Sequence, residues 1–242
     1  FLGSLVAQYG VEWFLWKANY ATRAVEQIGP FSFRGMMLYY LAAPLAARII
    51  QSSEIGNMSE EIYNGSLNRY LIYPVSFLRF KLAAGSAHAS VFLLQFVLVL
   101  SLFATFAGIP PECHITAGAV ARAAPAILLA AYLHFVMVAT IELVAFWADN
   151  VWSLIVITRY LTGLLGGAMI PLVLFPEWAT RVLYLLPFPY FIAFPVETLL
   201  GIAPPGGWAG GMAVMTVWTV VLTAVFHATW NRGRYRYNGV GI

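Results

Sequence analysis

Apolar residues gather into long runs separated by short polar breaks, a pattern that predicts membrane-spanning helices rather than alternating, half-buried strands. Crossing the hydrocarbon takes roughly 20 mostly apolar residues. Six runs approach or exceed this: about Phe1 to Trp16, Met36 to Ile50, Leu82 to Ala107, Ala123 to Trp147, Val151 to Leu174 and Met212 to Trp230. The first ends in Trp13, Trp16, Lys17 and Tyr20, the aromatic and basic residues that favour a membrane interface. Because the chain opens at Phe1 inside that run, this span is expected to be truncated at its N-terminus. Asn19 to Arg34, with Gly29-Pro30, reads as a loop. The most polar interval, Gln51 to Lys81, holds Glu54, Glu60, Glu61, Arg69, Arg79 and Lys81 around the turn formers Asn64, Gly65 and Pro74, and must face water. The third span is expected to stop at Gly108, Pro110 and Pro111, and Asp149-Asn150 to turn the fourth directly into the fifth. The prolines between Pro171 and Pro205 then forbid a long helix, although the interval stays apolar. Short interfacial or re-entrant helices satisfy both facts, with Glu177 and Arg181 one turn apart on a wet face.

Composition strengthens this picture. Hydrophobic residues make up 61% of the 242 and charged residues 10%, where a soluble domain is about a quarter charged. The expected architecture is a single all-α integral membrane domain over residues 1–242, with six transmembrane helices. The 13 basic residues are scattered, which argues against a nucleic-acid surface and for a role in topology. Arg69, Arg79, Lys81, Arg232, Arg234 and Arg236 fall on one side of a six-span arrangement; Lys17, Arg23, Arg34, Arg122 and Arg181 fall on the other. The positive-inside rule therefore places both termini in the cytoplasm.

Several chemistries have no footing. The sole cysteine, Cys113, excludes an intrachain disulfide and a cysteine-based metal site. A P-loop needs lysine after glycine, but Lys17 follows Trp16 and Lys81 follows Phe80. None of His88, His114, His134 and His227 precedes glutamate, so the zinc-protease helix motif is missing, as is a Gly-x-Ser-x-Gly elbow. No catalytic residue, bound cofactor or metal is expected in this chain. Asn57-Met58-Ser59 and Asn64-Gly65-Ser66 match the glycosylation triplet but fall on the expected cytoplasmic side, and carry no weight.

Charges within spans are costly and attract functional hypotheses. Glu142 and Arg159 flank the expected turn at similar depth: they could serve a substrate path or a state-dependent latch, or fix the fourth helix against the fifth as an ion pair, the reading taken here. Glu12 is expected to snorkel near Lys17, and His134 to hydrogen-bond between helices. Gly163 and Gly167 form a small-xxx-small pair that suits either a subunit interface or packing within the chain. In the polar interval, Ile62, Tyr63, Leu67 and Leu71 recur near helical spacing beside Glu60, Glu61 and Arg69, an amphipathic pattern whose apolar side needs either a partner or the membrane interface.

The segment Glu60-Glu61-Ile62-Tyr63-Asn64-Gly65-Ser66-Leu67-Asn68-Arg69-Tyr70-Leu71-Ile72-Tyr73-Pro74 resembles the cytoplasmic loop of ABC transporter permeases of the type-2 exporter class. The ending Trp230-Asn231-Arg232-Gly233-Arg234-Tyr235-Arg236-Tyr237-Asn238-Gly239-Val240-Gly241 resembles the tail of one bacterial branch of that class. The order of spans matches as well. The resemblance implies a permease of the bacterial inner membrane that pairs with a second permease, identical or related, and with a cytoplasmic dimer of ATPase subunits that binds ATP and magnesium. It also implies a coupling helix, contributed here by Glu60, Glu61, Ile62, Tyr63, Gly65, Leu67, Arg69, Leu71 and Pro74, and an external gate in the broken segment, with Glu177, Arg181 and Glu197. The function implied is ATP-driven export of an amphipathic or lipid-like substrate. The alternative is an ion-coupled secondary transporter or channel, with Glu142, Arg159 and His134 along an ion path.

Overall fold

The computed structural model describes residues 2–23, 26–53, 58–72, 74–148, 151–202, 204 and 206–237. Glu54, the expected turn at Asp149-Asn150, and the tail from Asn238 onward lie outside the described residues. The chain is helical almost throughout: α1 (Leu2–Arg23), a two-residue hairpin of β1 (Gln27–Ile28) and β2 (Phe31–Ser32), α2 (Phe33–Ile50), two short helices α3 (Met58–Tyr63) and α4 (Asn68–Leu71), then α5 (Phe77–Phe106) and α6 (Ala117–Glu142). There follow α7 (Trp152–Leu165), α8 (Glu177–Leu183), α9 (Ala193–Leu200) and α10 (Gly207–Gly233).

By length and composition, Phe77–Phe106, Ala117–Phe146 and Gly207–Gly233 suffice to cross a membrane. The second of these continues α6 through a 3₁₀ turn, Leu143–Phe146. The chain is thus an all-α membrane protein. Most of α5 is exposed, as expected of a helix whose solvent is lipid, whereas α2 is buried along almost its whole length. A helix apolar on every side belongs at the centre of a bundle. Small residues let it sit there: Ala42, Ala43, Ala46 and Ala47 are buried, beside the aromatic contacts Trp16–Tyr40 and Phe31–Tyr39.

Two helix starts are capped as their sequences dictate. Ser32 accepts from the Gly35 N–H at 3.2 Å to open α2, and Thr116 accepts from the Ala119 N–H at 3.1 Å to open α6. The described elements meet at two ends. At one, here the base, α3 and α4 pack beneath the start of α5 and the ends of α6 and α10. At the other, the crown, Glu112 reaches Ser32, the His114 N–H bonds the Leu200 carbonyl at 2.8 Å, and the Ala193 N–H bonds the Gly166 carbonyl at 2.9 Å.

Several boundaries differ from expectation. The fifth apolar run does not continue as helix to Leu174: α7 ends at Leu165. Gly167 takes a left-handed conformation, φ +87°, and its carbonyl accepts from the Tyr39 hydroxyl at 2.8 Å, turning the chain inward. At 14 residues α7 is about 21 Å long, short of the roughly 30 Å hydrocarbon thickness. The expected coupling helix is divided in two, because Gly65 adopts φ +70° between α3 and α4 and gives a tight turn where a Cβ would be strained. The expected third span, α5, also starts earlier than expected, at Phe77, so Arg79 and Lys81 belong to it.

Candidate functional site

The base is assembled around one carboxylate. Glu61, on α3, is buried, and its Oε1 accepts from the Lys81 ammonium at 2.8 Å and from the Tyr70 hydroxyl at 2.7 Å. Lys81 stands 5.2 Å from the Tyr70 ring centroid and 5.5 Å from that of Phe77, so its charge also rests against aromatic faces. Side-chain exposures of 11% for Lys81 and 9% for Glu61 put this pair well above a surface bridge in strength of coupling. A second carboxylate grips the same segment: the Met58 N–H donates to Glu142 Oε2 at 3.2 Å, so the end of α6 caps the start of α3. The Tyr63 hydroxyl adds a bond to the Ala148 carbonyl at 2.7 Å.

The apolar side of this segment is already covered. Met58, Ile62 and Leu67 are buried against Phe135, Ala139, Leu143 and Phe146, so Ile62 and Leu67 face the chain's own spans. The outward positions are Glu60, Asn64, Asn68, Ile72 and Pro74. Ile72 is 81% exposed. Arg69 and Leu71 lie in α4 by their backbone. Sequence reasoning missed Lys81, Tyr70 and Phe77 as members of the site. The cation lies twenty positions from its carboxylate, and only the fold brings them together.

Above the base, Glu142, Arg159 and His134 line one small cavity of about 20 Å³, enough for a single water. Glu142 and His134 are buried, whereas Arg159 lies on the exposed side of α7. His134 does not make the helix-to-helix hydrogen bond expected of it through Nδ1, which has no partner among the described residues; its ring meets Phe191 edge-on at 5.4 Å. Gly163 and Gly167 do not form a stripe on one helix, since Gly167 lies beyond α7. A Cβ on Gly163 would meet Met169 at 3.2 Å, and one on Gly167 would meet the Tyr39 hydroxyl at 2.7 Å and Ala193 at 3.0 Å.

At the crown, Arg181 and Glu177 pair at 3.4 Å across one turn of α8, both highly exposed. They border an open cavity of about 700 Å³ that Tyr184, Tyr190, Gly206 and Val214 help to line. Glu197 is buried in α9, and its Oε2 accepts from the Tyr184 hydroxyl at 3.4 Å. Here too a residue escaped sequence reasoning: Glu112, in the turn after α5, accepts from the Ser32 N–H at 2.8 Å and so holds the start of α2. Burial works to raise its pKa, but hydrogen bonds from Ser32, Gly35 and its own backbone outweigh that and hold the carboxyl below its ordinary value. Burial pushes the neighbouring Cys113 thiol up to about 12, with Glu112 adding to the effect, so it is an inert packing group.

The geometry is thus a polar base clasped to long apolar helices, a small cavity beside His134, Glu142 and Arg159, and a broken crown. No curated protein and no solved structure matches the chain. A family profile described as ABC-2 family transporter protein matches residues 6–241, nearly the whole sequence, and the chain belongs to that family.

Proposed function

We propose that this transporter subunit is the six-span permease of an ATP-driven exporter in a bacterial inner membrane. In this reading the base faces the cytoplasm and receives a separate ATPase dimer, which binds ATP and magnesium, and a second permease completes the assembly. The cargo is amphipathic or lipid-like. The observation that carries the reading is the clasp on residues 58–72: Glu61 is tied to α5 through Lys81, and the start of α3 to α6 through Glu142. A push on this segment is delivered to two spanning helices at once. Because Ile62 and Leu67 are used internally, the contact with the ATPase falls to Glu60, Asn64 and the exposed Ile72. An exposed large aliphatic side chain beside charge suits the centre of a protein interface better than a water-facing loop.

The test is co-purification. With the ATPase expressed alongside, Ile72→Asp combined with Glu60→Lys is expected to lower ATPase recovery about tenfold or more, while the permease still inserts and elutes as the wild type does. Undiminished recovery would move the contact elsewhere. The cavity at His134, Glu142 and Arg159 supports the ion-coupled reading instead, and transport into sealed vesicles separates the two. Uptake that requires ATP and ignores an imposed ion gradient fits the exporter; the reverse fits the ion path.

A further inference from the structure

A second cavity at the base, of about 500 Å³, opens between the start of α5 and the end of α10. Its floor is apolar and aromatic. Trp230 stacks on Phe77 at 5.1 Å with 13° between planes and on Phe226 at 6.3 Å with 11° between planes. Its rim is polar and carries positive charge: Arg79 from α5 and His227 and Asn231, one turn apart, from α10. Among the described residues no carboxylate lines it, and Arg232, Arg234 and Arg236 follow directly on the same helix end. All three rim residues are exposed. Both helices lead away from this cavity with apolar, exposed surface. Two turns up α10 on the face of His227 stands Val220, 64% exposed; along α5, the face of Arg79 continues through Ser86 to Leu93 and Val97, also exposed.

We infer that this cavity binds the phosphate-bearing headgroup of an anionic phospholipid in the leaflet at the base, with the acyl chains lying along the outward faces of α5 and α10. The ligand class follows from three features together. The rim offers guanidinium, imidazole and amide donors and, among the described residues, no competing anion, which suits phosphate oxygens. Aromatic rings under a polar rim are suited to the interface between headgroups and hydrocarbon. The long apolar faces beyond the rim need hydrocarbon as their solvent, and a soluble anion has none to give. The first turn of α5, whose N–H groups have no intrahelical partner, begins on the same side, and Ser76 makes no side-chain cap bond there. The inference does not depend on the ATPase reading. It does bear on coupling, because Phe77, one wall of this cavity, also meets Tyr70 edge-on at 5.0 Å, next to the Glu61 clasp.

The experiment is native mass spectrometry of the full chain released from nanodiscs made with equal parts phosphatidylglycerol and phosphatidylcholine. The expected result is preferential retention of phosphatidylglycerol, falling about tenfold in Arg79→Gln with Asn231→Ala and unchanged in Arg181→Gln at the crown. Arg79→Lys is expected to keep part of the preference. Equal retention of the two lipids by the wild type overturns the inference, whatever the variants do. Displacement of phosphatidylglycerol by millimolar inorganic phosphate would also overturn it, by showing a site for the free anion.

Discussion

Glu112 shows how one carboxylate can tie two distant pieces of chain. It sits at the N-terminus of α2, eighty positions away in sequence, where the helix offers N–H groups and a favourable dipole. Its folded pKa lies below the unfolded value, so its contribution to stability is present above the ordinary carboxylate range and is lost as pH falls through the folded value. Glu112→Gln is therefore expected to cost, after solvent screening, only about 0.5 kcal/mol at neutral pH and nothing further in acid, where the wild type weakens towards it. Thermal unfolding in detergent at two pH values reads this directly, and an undiminished acid response in the variant would place its source at another carboxylate. Nothing in the sequence marks Glu112, because a cap supplied from a remote loop leaves no local spacing to detect. Glu142 was easier to single out, since a charge inside an apolar run is conspicuous. Even so, its bond to the Met58 N–H depends on the fold returning α6 to the foot of α3.

Among the elements, the long apolar helices were legible because their solvent is lipid and their composition says so. The division of residues 58–71 was half legible. Gly65 signalled a turn, yet the apolar positions around it gave no sign of whether they faced a partner or their own chain, since periodicity fixes a face but not its neighbour. Gly65→Val forces a β-branched side chain into φ +70° and is expected to cost about 1–2 kcal/mol locally. The base should then lose its hold on α3 while α5, α6 and α10 remain inserted. Hydrogen–deuterium exchange would report it as faster exchange in residues 58–71 with unchanged protection in the spans; uniform protection would mean that the turn tolerates the change. The early end of α7 was not legible. The sequence stays apolar past Leu165, and the break is made by a backbone conformation at Gly167 that only its contact with Tyr39 reveals.

For the whole molecule, the two ends are chemically unlike, and that difference gives a test of topology. Single cysteines at Asn64 and Tyr235, both exposed at the base, are expected to react with an impermeant maleimide only in inverted or opened vesicles. One at the exposed Thr116 in the crown should react in intact cells. Native Cys113 is buried and contributes little background. Labelling of Asn64 from outside would reverse the orientation. Between these ends α6 grips both: Glu142 holds the start of α3 at the base, and the turn leading into its first residues bonds α9 through His114 and Leu200. In the proposed coupling it would act as a lever jointed at Pro125. From Pro125 to Glu142 the helix runs uninterrupted for about 26 Å, and Pro125 removes the hydrogen bond at which it can bend. A displacement of about 2 Å at Glu142 then corresponds to a rotation of only about 4° about that joint. Such a swing is small enough for packed helices to follow by sliding, so in the proposed coupling the stroke and its transmission ratio would be set by where one proline falls along the helix.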